Sequence, residues 1–160
     1  MDTRLCVYPG SFDPVTLGHL DLIERAARLF PKVRVAVLDN PDKTNTFTVA
    51  ERLSMLNQSC AHLSNVQIDS FGGLLVNYMR KSGAIIIVRG LRAVTDFEAE
   101  FQMAQLNRQM SETVETLFLM SSPDYAYISS SAVKQIASYG GDITPFVPAC
   151  ILPEILKHFP

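Results

Sequence analysis

Short apolar or alternating stretches along the chain predict five β-strands. They occupy residues 4–8, 32–38, 66–69, 84–88 and 116–120. In the second stretch, Val33, Val35 and Val37 fall on one side of an extended chain, as in a strand with one buried face. The fourth stretch is apolar at every position, which is typical of a central strand covered by helices on both faces. We therefore expect the fourth strand to be the most buried.

Helical patterns separate the predicted strands. Apolar residues at helical spacing predict helices over residues 17–30, 49–60 and 74–81. Thr48 and Glu51 have the spacing of a capping box at the start of the second of these helices. Thr95 and Glu98 predict another capping box, which opens a helix to about residue 109. Later helices are expected from a cap at Ser130 or Ser131 to residue 140, and over 153–159.

This order of elements is a strand followed by a helix, repeated five times. Such alternation predicts an α/β protein with a doubly wound, five-stranded parallel sheet and helices on both faces. A (β/α)₈ barrel needs about 250 residues, whereas the chain has 160. We expect one domain over residues 1–160. In such sheets ligands bind beyond the carboxyl ends of the strands, near the point where the strand order reverses.

Composition excludes several classes of protein. The chain has 14 Lys and Arg against 16 Asp and Glu, a net charge of −2, which argues against a broad nucleic-acid-binding surface. Cys6, Cys60 and Cys150 cannot form a complete disulfide framework, and we expect them to be small buried apolar residues. No signal peptide and no run of about 18 apolar residues is recognisable. We expect a cytoplasmic protein without membrane contact.

The loop after the first predicted strand carries the most chemical information. It reads Gly-Ser-Phe-Asp-Pro-Val-Thr-Leu-Gly-His over residues 10–19. His19 falls in the first turn of the next helix, where free backbone N–H groups favour anions. It can donate a hydrogen bond to a phosphoryl oxygen, although a lone histidine there can also be merely solvated. The preceding Gly10-Ser11-Phe12-Asp13-Pro14 context favours the phosphate site, and Thr16 is a candidate cap for the helix that follows.

Other strand ends add cations and hydroxyl groups. Arg89 and Arg92 follow the fourth strand and can bind phosphate bidentately. Lys43 alone is weak evidence, and Glu100 can either accept from a ribose hydroxyl or face water. The serines at 129–131 form either an ordinary helix cap or a second phosphate cradle.

Neither GxxxxGK[ST] nor GxGxxG occurs, which disfavours P-loop and dinucleotide-binding proteins. His62 and His158 have no partners at metal-ligand spacing.

Residues 10–19 resemble the (H/T)xGH signature of the nucleotidylyltransferase superfamily. The Arg-Gly-Leu-Arg block at 89–92 and the Ile-Ser-Ser-Ser block at 128–131 narrow this resemblance, as do Phe47-Thr48 with Glu51-Arg52. Together these motifs resemble the bacterial phosphopantetheine adenylyltransferases over nearly the whole chain. The resemblance implies a Rossmann-like fold and reversible adenylyl transfer from ATP to 4′-phosphopantetheine, giving dephospho-coenzyme A and pyrophosphate. It also implies Mg²⁺ bound with ATP, and a homohexamer.

The resemblance carries over site residues position by position. His19 would stabilise the transition state at the α-phosphate, and Lys43 would orient the attacking phosphate. The implied catalytic positions are His19, Lys43 and Arg92. The implied ATP-binding positions are Ser11, Phe12, His19, Gly90, Leu91, Arg92, Glu100, Tyr125, Ala126, Tyr127, Ile128, Ser129, Ser130 and Ser131. The implied substrate-binding positions are Ser11, Lys43, Leu74, Leu75, Arg89 and Asn107. No protein ligand to a metal is implied.

Two features depart from this family pattern. Ala99 stands where relatives often carry tyrosine, and the loop at 42–45 has fewer cations than expected. Both bear on substrate affinity rather than on the class of reaction. Two alternatives stay open: transfer to another phosphorylated acceptor, such as nicotinamide mononucleotide or glycerol phosphate, and a nucleotide sensor without turnover.

Overall fold

A computed structural model describes residues 2–41 and 44–159 and contains one five-stranded parallel sheet. The strand order is β3-β2-β1-β4-β5, so the chain reverses its direction of winding between β1 and β4. The strands are β1 (Asp2–Gly10), β2 (Lys32–Asp39), β3 (Val66–Gly72), β4 (Ala84–Leu91) and β5 (Glu115–Met120). The predicted doubly wound α/β fold is confirmed.

Helices follow the strands as the periodicity predicts. They are α1 (Leu17–Leu29), α2 (Val49–Ser59), α3 (Leu75–Ser82), α4 (Val94–Met110), α5 (Ser130–Ser138) and α6 (Leu152–Leu156), with a 3₁₀ turn at Ala149–Ile151. None of the helices in the described ranges is long and apolar enough to span a membrane.

β1 lies at the centre of the sheet and separates two apolar layers. Because side chains alternate along a strand, Cys6 and Tyr8 join the cluster beneath α1, α2 and α5, whereas Leu5 and Val7 join the cluster beneath α3. The expectation that the fourth strand is the most buried is wrong. β4 lies between β1 and the edge strand β5, and Ile85 and Ile86 are only partly buried.

Strand β4 is also longer than its apolar stretch. It continues to Leu91 by pairing with β5, and Arg89 pairs with Phe118 in that ladder. Arg89 is therefore a strand residue rather than the first residue of a loop. Only Arg92 lies beyond the strand.

The caps of α1 and α2 are confirmed, and that of α4 is corrected. Thr16 and His19 bond reciprocally at the start of α1, and Thr48 and Glu51 do so at the start of α2. The start expected at Thr95 is corrected, because α4 begins at Val94, with Ala93 as an N-cap that has no side-chain hydrogen bond. The carboxylate of Asp96 instead accepts the backbone N–H of Arg92 at 3.3 Å.

Two further expectations need correction. α5 is capped by Ser129, whose hydroxyl accepts the N–H of Ala132 at 3.1 Å, rather than by Ser130 or Ser131. Cys6 and Cys60 are buried as expected, but Cys150 is exposed.

Candidate active site

A cavity of about 350 Å³ opens at the carboxyl ends of β1 and β4, where the winding of the sheet reverses. α1 contributes His19 to this cavity, β4 contributes Arg89, and the turn after β4 contributes Arg92. The predicted site residues that line it are His19, Arg89, Gly90, Arg92, Glu100, Tyr125, Ile128, Ser129 and Ser130. The cavity thus joins residues from three strand ends, those of β1, β4 and β5.

The cap of α1 fixes the orientation and the tautomer of His19. The backbone N–H of Thr16 donates to Nδ1 of His19 at 3.1 Å, and the Thr16 hydroxyl lies 3.2 Å from the same nitrogen. Because a backbone N–H can only donate, Nδ1 must be an acceptor, and the proton of the neutral ring is on Nε2. The ring edge packs against Phe12 at a centroid distance of 5.1 Å. His19 is therefore a neutral hydrogen-bond donor at Nε2.

The surroundings keep this histidine neutral. Burial, and to a smaller extent the positive charges of Arg92 and Arg89, lower the pKa of His19 to about 4. A neutral imidazole can donate one hydrogen bond without adding a third positive charge between the arginines. It is suited to stabilising charge on an anion rather than to taking up a proton.

Arg89 is held by an acidic partner from α4. Its Nε donates to Oε2 of Glu100 at 2.7 Å, a second bond joins Nη2 to Oε1, and Nη1 donates to the carbonyl of Pro9 at 2.6 Å. Burial disfavours the charge on Arg89, but the hydrogen bonds and charge of Glu100 outweigh it and raise the pKa of Arg89. Glu100 thus binds Arg89 instead of facing water, and it also lines the main cavity, so its contact with a ribose hydroxyl stays a prediction.

Arg92 joins the turn after β4 to the loop before α5. It donates to Asp96 at 3.0 Å through Nε and to the carbonyl of Ile128 at 3.3 Å through Nη1. The hydrogen bonds from Arg92 hold the pKa of Asp96 below its usual value. The four-residue spacing of Arg92 and Asp96 in the sequence is the signal that could have predicted this pair.

The serine-rich loop (residues 121–131, which include the start of α5) is bonded to α1 and to the loop before it. The hydroxyl of Ser130 donates to the carbonyl of Pro14 at 2.8 Å, and that of Ser122 donates to Asp21 at 2.9 Å. Gly18 lies beside this loop, where a Cβ would be in ordinary contact, 3.5 Å from the carbonyl oxygen of Tyr125. The sequence did not indicate that Asp21 binds Ser122, because the two residues are 101 positions apart and no local spacing connects them.

The remaining predicted residues lie beside this cavity or behind it. Phe12 is buried against His19 at a positive φ of 47°, Leu91 is buried, and Tyr127 is 69% exposed.

Leu75 and Asn107 line a smaller cavity of about 30 Å³ together with Arg89 and Glu100, whereas Leu74 is exposed. A neighbouring cavity includes Ser11 and Ser131. Ala126 does not line the main cavity, and Lys43 is outside the described residues.

Comparison with known proteins agrees with this geometry. Residues 7–136 match the family model described as cytidylyltransferase-like. Curated relatives named phosphopantetheine adenylyltransferase include one from Clostridium perfringens, 54% identical over 95% of this chain and 93% of its own. Another, from Synechococcus, is 51% identical over 98% of both chains. This chain belongs to the phosphopantetheine adenylyltransferase family.

Solved structures of related enzymes share the fold of this family member. A putative nicotinate-nucleotide adenylyltransferase from Vibrio parahaemolyticus matches with a TM-score of 0.68 at 18% identity, covering 96% of this chain and 94% of its own. The nicotinic acid mononucleotide adenylyltransferase of Plasmodium falciparum, complexed with NaAD, matches with a TM-score of 0.68 at 15% identity, covering 96% of this chain and 95% of its own. At such low identity these matches establish the fold alone.

The neutral state of His19 can be measured directly. We expect the imidazole ¹⁵N chemical shifts of the free protein at pH 7 to show a protonated Nε2 and an unprotonated Nδ1. His19 should stay neutral as the pH falls until about 4, because its folded pKa lies there. Signals are assigned with His19→Gln. Protonation of His19 near 6.5, the ordinary pKa of a histidine, would contradict this picture.

Proposed function

We propose that this protein transfers an adenylyl group reversibly from ATP to 4′-phosphopantetheine, giving dephospho-coenzyme A and pyrophosphate in coenzyme A biosynthesis. The observation that carries the proposal is the neutral Nε2–H donor of His19, held in one cavity with Arg89 and Arg92. Near 50% identity to phosphopantetheine adenylyltransferases over almost the whole chain supports the choice of acceptor. A cytoplasmic location belongs to the same proposal, because both substrates are water-soluble phosphates.

The reaction needs little from the protein beyond orientation and charge. An oxygen of the acceptor phosphate attacks the α-phosphorus of ATP, a new P–O bond forms, and the bond to pyrophosphate breaks. The attacking group is already an anion, so neither a general base nor a covalent intermediate is required. Holding the two anions in line and stabilising the charge at phosphorus lower the barrier. His19 supplies the donor and the two arginines supply the charge.

The two substrates would occupy different parts of the site. We assign the nucleotide to the cavity between β4 and the loop before α5, with Phe12, Gly90, Leu91 and Arg92 as its neighbours. The further nucleotide positions are Ser11, His19, Glu100, Tyr125, Ala126, Tyr127, Ile128, Ser129, Ser130 and Ser131. The acceptor would use Ser11, Lys43, Leu74, Leu75, Arg89 and Asn107. Arg89 suits its phosphate because Glu100 and the Pro9 carbonyl already orient the guanidinium.

Mg²⁺ is part of the proposal as a companion of ATP. The carboxylates of Asp96 and Glu100, which line the cavity, are occupied by Arg92 and Arg89. Within the described residues no group of three or more acidic, histidine or cysteine side chains could hold a metal. This donor set fits an ion bound by phosphate oxygens and water, as Mg²⁺ favours, and the ion would neutralise phosphate charge.

We also propose that the protein is a homohexamer. α4 and β5 present an apolar surface to solvent, which a soluble monomer rarely leaves uncovered. Its exposed members are Phe97, Phe101, Met103, Leu106, Met110, Leu117 and Met120. We expect light scattering to give six 17.7 kDa chains, and Leu106→Glu to reduce this mass. Leu29→Glu, at an even more exposed leucine on α1, should leave it unchanged. A monomeric wild-type protein would refute the assignment.

The choice of acceptor can be tested by product formation. We expect ATP, Mg²⁺ and 4′-phosphopantetheine to yield dephospho-coenzyme A and an equal amount of pyrophosphate. Nicotinamide mononucleotide and glycerol 3-phosphate, tested separately, should release little pyrophosphate, because Arg89 and the Leu74–Leu75 region are assigned to the pantetheine substrate. Faster release with either of them would change the acceptor. ATP binding without release for any acceptor would support a nucleotide sensor.

The role of His19 separates turnover from binding. We expect His19→Ala to lower kcat by about 10²–10³, the usual cost of removing one preorganised donor. The Kd for ATP should change far less, because Arg92 and the serine-rich loop remain. His62→Ala is the matched control, since His62 is a surface residue paired with Glu24. Near-normal turnover of His19→Ala would eliminate the proposed stabilising role.

A further inference from the structure

The carboxylate of Asp13 is buried where three segments of the chain meet. Its side chain is 6% exposed and lies in the loop between β1 and α1. Oδ1 accepts the backbone N–H of Phe47 at 2.9 Å, and Oδ2 accepts that of Thr46 at 3.1 Å. The ammonium group of Lys134 on α5 donates to Oδ2 at 2.5 Å. One side chain therefore connects parts of the chain 33, 34 and 121 residues away.

These three segments enclose a cavity of about 240 Å³ beside the main one. The residues with hydroxyl groups that line it are Ser11, Thr44, Ser130 and Ser131, and the ion pair of Asp13 and Lys134 lies in the same wall. Ser130 lines this cavity and the main one, so the two are neighbours. Hydroxyl groups can donate to phosphoryl oxygens, and Lys134 offsets the charge of Asp13, so this wall suits a phosphoryl group.

The loop between β2 and α2 is fixed at both of its ends. Near the β2 end, the buried guanidinium of Arg52 donates to the carbonyls of Ser11 at 2.9 Å and Leu38 at 3.1 Å. Near the α2 end, Asp13 accepts the N–H groups of Thr46 and Phe47. Thr44 and Asn45 approach the cavity just before this second anchor, so their distance from the β1–α1 loop depends on Asp13.

We propose that Asp13 is a positioning residue that holds segment 44–47 against the β1–α1 loop and thereby gives the smaller cavity its shape. The inference rests on the proposed function, because the cavity then receives a phosphoryl group of ATP or of 4′-phosphopantetheine. Asp13 lines this cavity, but its oxygens already accept from Thr46, Phe47 and Lys134, so we assign it no substrate contact. Its negative charge is compensated by Lys134, which limits repulsion of an incoming phosphate.

Two variants separate anchoring from charge. Lys134→Met removes the ion pair and leaves Asp13 as acceptor for both N–H groups. Asp13→Ala/Lys134→Met removes the acceptors as well and restores the net charge of the wild type. Steady-state kinetics would give kcat and separate KM values for ATP and 4′-phosphopantetheine. Asp142→Ala is a control for loss of a carboxylate that accepts a local backbone N–H, that of Thr144, away from the cavity.

We expect the double variant to raise KM for one substrate about tenfold or more above Lys134→Met, because a charged acceptor for two N–H groups is lost. KM for the other substrate should stay within twofold, and the affected substrate identifies the phosphoryl group in the cavity. Unchanged KM values would overturn the proposal. So would an equal rise in both, or a fall in kcat alone, since these indicate general damage to the fold.

Amide hydrogen exchange tests the anchor without relying on turnover. The amides of Thr46 and Phe47 should be protected in the wild type and in Lys134→Met, and should exchange at least tenfold faster in the double variant. The amide of Val7 in β1 should be unaffected. Unprotected amides in the wild type would refute the anchor even if the double variant does not fold. A wild type with slow exchange and no adenylyl transfer would overturn the proposed function alone.

Discussion

The position of β1 determines how the rest of the structure is arranged. Both faces of this strand must be covered, so helices pack above and below it, and the strands on its two sides are added in opposite directions. The loops that leave β1 and β4 therefore diverge, and their separation opens the main cavity. Because Tyr8 and Gly10 belong to this rigid strand, the residues that follow start from a fixed point.

Packing in the interior also determines the electrostatics of the site. His19 is neutral because burial and two arginines oppose its charge, and it is oriented because the helix cap uses Nδ1. A protein with a net charge of −2 can therefore present two guanidinium groups to phosphates in one cavity, each paired with a carboxylate. The arginines have defined geometry because Glu100 and Asp96 hold them.

The sequence was sufficient for the fold because apolar spacing reports directly on burial. The five strands and the caps at Thr16 and Thr48 follow from spacing and from local hydrogen bonding. The start expected for α4 was wrong, because this helix begins at Val94, after an N-cap at Ala93. The expectation that β4 is the most buried strand was also wrong, because apolar content shows that a strand is covered but not where it lies in the sheet.

Within the site, spacing identified the residues but not their partners. His19, Arg89 and Arg92 were recognised from their positions after strands, and the cavity contains all three. Glu100 and Arg89 are 11 residues apart, and Asp13 and Thr46 are 33 residues apart. Both separations exceed the spacing of neighbours on one helix, so no local pattern encodes these bonds.

The pairing of cations with carboxylates has a consequence for selectivity. Arg89 and Arg92 each carry a carboxylate partner in the free protein, and both are only partly exposed. A weakly charged ligand offers too little to compete with a bonded carboxylate for the same donors. A phosphate brings more negative charge and more acceptor oxygens, so it can share the guanidinium groups or displace their partners. The paired state therefore favours ligands with closely spaced phosphate charges, such as ATP and a phosphorylated acceptor, over single carboxylates.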